Sequence, residues 1–182
     1  MPQKVPNSNE ILIVIPARGG SKRLPGKHTR MLRGHTLLER TDQAIRMSGL
    51  SAPCLLTTDD QDIATAGRNL GWMVPFLRPA NLATDTASSV DAVLHAVDWF
   101  AGENGGDPSF VMLLQTTSPL RSAAALKESV SLLADNNSLN AIVSVIRVQT
   151  SPANVYTETA SGHLQPLGEP EDRWPVFAPN GA

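Results

Sequence analysis

At 182 residues the chain is long enough to bury a core, and its size suits one domain. A net charge of −2 argues against a chain-wide affinity for nucleic acid, and the single cysteine, Cys54, excludes an internal disulfide or a cysteine-rich zinc site. The first ten residues are polar and proline-broken, unlike a signal peptide, and no segment approaches membrane-spanning length. A cytoplasmic protein without nucleic acid or membrane partners is expected, with residues 1–10 a polar tail.

Residues 11–15, Ile-Leu-Ile-Val-Ile, read as a strand buried on both faces. The chain then enters a loop with Pro16, Gly19, Gly20, Pro25 and Gly26, which continues neither strand nor helix. Residues 36–48 place Leu37, Leu38, Thr41, Ala44, Ile45 and Ser48 at helical spacing, closed by Gly49. Residues 54–58 form a short strand, and Asp59-Asp60 caps a helix over 61–70 that stops at Gly71. A strand over 72–77 comes next. Ser88 with Asp91 forms a capping-box pattern that opens a helix to about Phe100, followed by a turn-rich loop from Gly102 to Pro108. Residues 110–114 read as a second buried strand, with a helix over 122–135 and a strand near 141–146 beyond it. Prolines at 152, 166, 170, 175 and 179 predict loops and short antiparallel edge pieces from Thr150 onward. Strands alternating with helices imply βαβ units, hence an α/β fold with a mostly parallel sheet.

Polar chemistry gathers just after the predicted strands. The first loop carries Arg18, Lys22, Arg23 and Lys27, and no acidic residue lies between Glu10 and Glu39. Glycines let backbone N–H groups approach an anion while the cations neutralise it, so this loop suits a polyphosphate. On charge count alone, a solvated basic face is as good a reading. Position favours the ligand, because open α/β sheets bind beyond the carboxyl ends of their strands. The usual phosphate motifs do not fit. Gly-x-Gly-x-x-Gly is absent, and the match of Gly26-Lys27 to a Walker A loop fails at Ser21 and His28. Thr57 to Asp60, Arg78 to Ser89 and Gln115 to Arg121 follow the other predicted strands. Singly, Asp59, Asp60 and Ser88 read as helix caps. Together the four clusters outline a nucleotide pocket. Cys54, between Pro53 and Leu55, reads as a small buried hydrophobe.

The run from Ile15 to Lys27, Ile-Pro-Ala-Arg-Gly-Gly-Ser-Lys-Arg-Leu-Pro-Gly-Lys, resembles the signature of sugar-acid cytidylyltransferases, and residues 77–89, 113–121 and 179–182 resemble three further blocks. Within that family the similarity is to the CMP-N-acetylneuraminate synthetases and their relatives acting on other nonulosonic acids. The resemblance implies a Rossmann-like three-layer nucleotidyltransferase fold over residues 11–182, CTP as donor, a nonulosonic sugar acid as acceptor, Mg²⁺ as cofactor and a homodimer in the full-length protein. N-acetylneuraminate is the expected acceptor, with legionaminic or pseudaminic acid as the alternative, or a catalytically inactive CTP-binding module.

The same resemblance assigns roles. Arg18, Lys22 and Lys27 are expected on the triphosphate, with Arg18 and Lys27 catalytic and Lys27 nearest the reacting phosphorus. Pro16 and Ala17, with Arg78, would define the cytosine pocket, and Ser21, His28 and Ser89 would complete the nucleotide contacts. Gln115, Ser118, Arg173 and Asn180 would face the sugar acid. The chain departs from the family pattern at His28 (usually Asn), Thr116 (usually Pro) and Ala178 (usually Arg). The family's Asp-x-Asp magnesium ligands and dimer-forming segment lie beyond the Pro-Asn-Gly block and are not in residues 1–182. Asp60 and Asp62 share the Asp-x-Asp spacing but sit where a helix cap is expected.

Overall fold

Five apolar residues in a row leave no face for solvent, and Ile11–Pro16 becomes the central strand, β1. The computed structural model describes residues 11–21, 24–136, 138–147, 156–166 and 177–179. The basic loop includes a turn over 24–30, in which Lys27 and Arg30 donate backbone bonds to the Leu24 and Gly26 carbonyls. A small hairpin of β2 (Met31–Leu32) and β3 (His35–Thr36) follows. Its two-residue turn has positive φ at both Arg33 and Gly34, a geometry that matches the twist of the paired strands.

Helix α1 (Leu37–Ser48) begins with a reciprocal capping box between Thr36 and Glu39 and ends at a left-handed Gly49. It buries Leu38, Thr41, Ala44, Ile45 and Ser48, as its periodicity predicts, and also Asp42, which accepts from Trp72 Nε1 at 3.1 Å and from Arg46. β4 (Cys54–Thr57) leads to α2 (Gln61–Asn69), whose first backbone N–H groups are capped by the Asp60 carboxylate. A 3-10 turn at Ala80–Leu82 precedes α3 (Ser89–Asn104), and β5 (Phe110–Leu113) and α4 (Ala123–Asp135) complete the first unit.

The main sheet has the order β4-β1-β5, all parallel. The connection from β1 to β4 moves one way across the sheet, and the later connection from β4 to β5 passes back over β1 in the other direction. Right-handed connections therefore place their helices on opposite faces. Ile13, Ile15 and Leu56 pack with residues of α1, α2 and α4 on one face, including Leu38, Ile45, Ile63 and Leu126. Leu12, Val14 and Leu55 pack with Ala96 and Phe100 of α3 on the other. Three layers result.

Four expectations need correction. Residues 72–77 form no strand; Met73 makes a single parallel bridge to Leu55, and Pro75, lacking an N–H, cannot extend the ladder. Helix α3 runs through Gly102 to Asn104 before a left-handed Gly105 ends it, so the loop begins later than Gly102. Its Ser88 cap accepts from Val90 N, without the reciprocal bond of a capping box. β5 is half-exposed: Val111 and Leu113 are 40% and 43% accessible. They share the face of Leu12 and Val14, which α3 covers over β1 and β4 but not over β5.

The chain divides into two compact units, Met1–Asn140 and Ala141–Ala182. In the second, β6 (Val145–Arg147) pairs antiparallel with β9 (Phe177–Pro179), and β7 (Tyr156–Glu158) with β8 (Leu164–Pro166). The short antiparallel pieces match expectation, whereas the strand expected near 141–146 starts at Val145 and lies in one of these pairs. Among the described residues no helix is long and apolar enough to cross a membrane.

Candidate functional site

Register decides where the loops emerge. Pro16 lies opposite Thr57, and Val14 opposite Leu113, so the chain leaves the sheet at Ala17, Thr58 and Leu114 on one edge. Because the path of the chain across the sheet reverses around β1, this edge is the topological switch point where open α/β sheets form a crevice. A cleft of about 240 Å³ opens there, slightly below the roughly 300–1,000 Å³ usual for small-ligand sites.

Beneath the cleft lies a layer of fully buried hydroxyls: Thr57, Thr58 and Thr116. Thr57 O accepts from Ala17 N at 3.1 Å. Its hydroxyl accepts from Arg78 Nε at 3.1 Å, and its carbonyl takes a further short bond from Arg78 Nη2. Arg78 N donates to Thr58 O at 2.7 Å. Arg78 is thus a buried guanidinium fixed from below by neutral oxygens; burial lowers its pKa, and Asp59 partly offsets that. The glycine-rich loop is held as tightly. Gly19 N donates to Asp59 Oδ1 at 2.9 Å, and a Cβ on Gly19 would stand 2.5 Å from Asp60 Oδ2. Only glycine fits between the loop and the capped start of α2.

Arg18 reaches across the cleft. Its guanidinium donates to Thr84 O at 2.8 Å and forms an ion pair with Asp85 at 2.9 Å. His28 is 3% exposed, and its Nδ1 lies 2.8 Å from Thr116 Oγ1. Burial, together with the cations Lys27 and Arg78, pushes its pKa down to about 4, against smaller opposing effects of the Arg18 carbonyl and Asp60. The imidazole is therefore neutral at neutral pH. Arg121, whose pKa burial also lowers, braces the loop after β5 by donating to Gln115 O at 2.8 Å.

Of the residues singled out from sequence, Pro16, Arg18, Lys27, His28, Arg78, Ser89 and Gln115 line this one cleft. Ala17 is buried below it, Ser21 folds back to donate to Gly19 O, and Ser118 turns back on Gln115 O; none of these three is among the lining residues. Lys22, Arg173 and Asn180 lie outside the described residues. Thr84, Asp85 and Thr116 were not singled out as site residues, although each stands inside a block that follows a strand predicted from the sequence. Cys54 is half-buried, and desolvation raises its pKa to about 11, so it is no nucleophile.

The family resemblance implies a magnesium ion, and the cleft offers few donors for one. Among the described residues no three His, Cys, Asp or Glu side chains form a metal-binding group. Asp85, the carboxylate on the cleft wall, is engaged by Arg18. These residues do not by themselves fit magnesium, whose coordination needs several hard oxygens.

Comparison with known proteins gives a consistent picture. The family model described as Cytidylyltransferase matches residues 12–161. The chain is 36% identical over 154 residues to the CMP-N,N'-diacetyllegionaminic acid synthase of Legionella pneumophila, covering 85% of this chain and 65% of that protein. It is 35% identical over 138 residues to the N-acylneuraminate cytidylyltransferase of Escherichia coli, covering 76% of this chain and 32% of the relative. Among solved structures, CMP:2-keto-3-deoxy-manno-octonic acid synthetase complexed with CTP superposes with a TM-score of 0.57 at 22% identity, over 71% of this chain and 49% of that one. The chain thus spans less than two thirds of the length of each of these proteins.

Proposed function

This chain belongs to the cytidylyltransferase family, and from that premise we propose that it carries the CTP site of an enzyme joining a cytidylyl group to a nonulosonic acid, with release of pyrophosphate. Its α/β nucleotidyltransferase fold with a largely parallel core sheet is that of known cytidylyltransferases. The observation that carries the reading is the convergence of Arg18, Lys27 and Arg78 with His28, Ser89 and Gln115 on one cleft at the switch point.

The reaction is attack of the anomeric hydroxyl on the α-phosphorus, with pyrophosphate as leaving group. Negative charge grows on the phosphoryl oxygens and the departing pyrophosphate, so fixed cations are the chief requirement. Arg18, Lys22 and Lys27 hold the triphosphate, Lys27 nearest the α-phosphorus. Pro16, Ala17 and Arg78 frame the cytosine. Arg78 suits this role because Thr57 and Thr58 fix it before any ligand arrives. Ser21, His28 and Ser89 complete the nucleotide contacts, and Gln115, Ser118, Arg173 and Asn180 face the acceptor. No step is assigned to magnesium. A legionaminic-type acid is favoured over N-acetylneuraminate by the match to the legionaminate relative, 154 residues at 36% identity against 138 residues at 35% for the Escherichia coli neuraminate one. A CTP-binding module without turnover is the second reading, favoured by a cleft whose carboxylate is already paired.

Calorimetric titration with CTP, UTP, ATP and GTP in magnesium buffer tests the nucleotide. CTP is expected to be selected, and Lys27→Ala to weaken it about tenfold to hundredfold. Equal binding of all four nucleotides would sink the reading. Pyrophosphate release is then measured with N,N'-diacetyllegionaminic, pseudaminic and N-acetylneuraminic acids. CTP binding without release from any acceptor supports the binding module instead.

A further inference from the structure

The bond between His28 and Thr116 joins two loops that are otherwise far apart, 88 residues in sequence. His28 directly follows Lys27, and Thr116 directly follows Gln115; all four line the cleft. His28 is 3% exposed and Thr116 fully buried, so water does not compete for the bond. The remaining ring nitrogen, Nε2, is also buried and makes no hydrogen bond of good geometry among the described residues, although the Arg18 carbonyl stands near enough to the ring to oppose the lowering of its pKa. A neutral imidazole carries one ring proton, and the partner of one nitrogen decides which tautomer is held. Thr116 therefore holds the orientation of the ring, its hydroxyl being able to donate to Nδ1 or to accept from it.

We propose that Thr116 is a positioning residue of the nucleotide site: its hydroxyl fixes the His28 ring, and through it sets the distance between the basic loop at Lys27 and the acceptor-side loop at Gln115. The inference rests on the CTP reading above and deepens it. A hydroxyl on an otherwise apolar-sized side chain matters here because the two loops supply opposite ends of the reaction, the triphosphate cation and the sugar-acid contact. A small misplacement between such groups costs rate and affinity out of proportion to the stability lost. Lys27, Arg78 and Asp60 are the charged groups that act on the ring from the elements packed around it.

Thr116→Val removes the hydroxyl and keeps the shape; Thr116→Ser keeps the hydroxyl and removes a methyl. CTP affinity is measured by calorimetry for both, alongside melting midpoints and the ring ¹⁵N shifts of His28. The valine variant is expected to bind CTP about tenfold more weakly and the serine variant within about twofold of the parent. The ring ¹⁵N shifts are expected to move from the parent values in the valine variant and to stay close to them in the serine variant. Should the valine variant fail to fold, Thr116→Ala carries the same comparison. Parent-like CTP binding without the hydroxyl overturns the proposal, as does an equal loss in the serine variant, which would mark a packing effect. A parent chain that binds no CTP overturns this proposal and the nucleotide reading together, whereas a CTP-binding parent with an unaffected valine variant overturns this proposal alone.

Discussion

His28 couples the site to acidity. Its pKa is about 4 in the folded chain against an ordinary 6.5, so the unfolded chain binds the proton more readily, and stability is lost as pH falls from 6.5 towards 4. Urea unfolding of the parent is expected to lose roughly 2 kcal/mol between pH 7 and pH 5 from this group. His28→Asn removes that part of the drop while the carboxylates contribute equally to both proteins; an identical drop in the variant would show that burial of the ring is not the cause. At this scale the sequence is informative about which residues matter and silent about their partners. Arg18 and Lys27 stand out because cations in a glycine-rich loop after a buried strand suit phosphate. Asp85 does not stand out, because nothing local to it signals an ion pair with Arg18 across the cleft. His28 and Thr116 were visible as two separate departures from a family pattern, and only the fold shows that they touch.

Helices and strands were legible wherever local chemistry and burial agree. α1 and α2 carry both a side-chain cap and an apolar stripe, and their bounds follow from those signals. Residues 72–77 misled because apolar composition suits a strand as well as a buried coil, and the decisive feature was the single missing N–H of Pro75. The exposure of β5 was not legible at all, since an apolar run does not say whether a neighbour covers it. Gly67 illustrates the same gap. In a helix interior, Gly→Ala is ordinarily favourable by about 1 kcal/mol. Here a Cβ would stand 2.3 Å from Cδ2 of the fully buried Leu56 and 3.4 Å from Val74. Gly67→Ala is therefore expected to destabilise the protein by about 1–3 kcal/mol through overpacking, read as a lower urea midpoint at unchanged slope. A raised midpoint would mean that Leu56 has room to rotate away.

At the scale of the whole chain, every residue lining the cleft and the entire parallel sheet belong to the unit ending at Asn140. A chain of residues 1–140 is accordingly expected to melt cooperatively and to bind CTP within about threefold of the 182-residue protein, a difference under 1 kcal/mol. Loss of binding in a folded fragment would place part of the nucleotide site in residues 141–182. The sheet order has a separate consequence for synthesis. β1 is made well before β5, yet Ile11 pairs with Phe110. At roughly 5–20 residues per second, the strand waits about 5–20 s for its second neighbour to be translated. Throughout that interval the most apolar segment of the nascent chain has an open edge. A ribosome pausing before residue 110 would prolong the period in which Ile11–Ile15 can find the wrong partner, so the strand that anchors the finished cleft is also the one whose assembly depends most on uninterrupted translation.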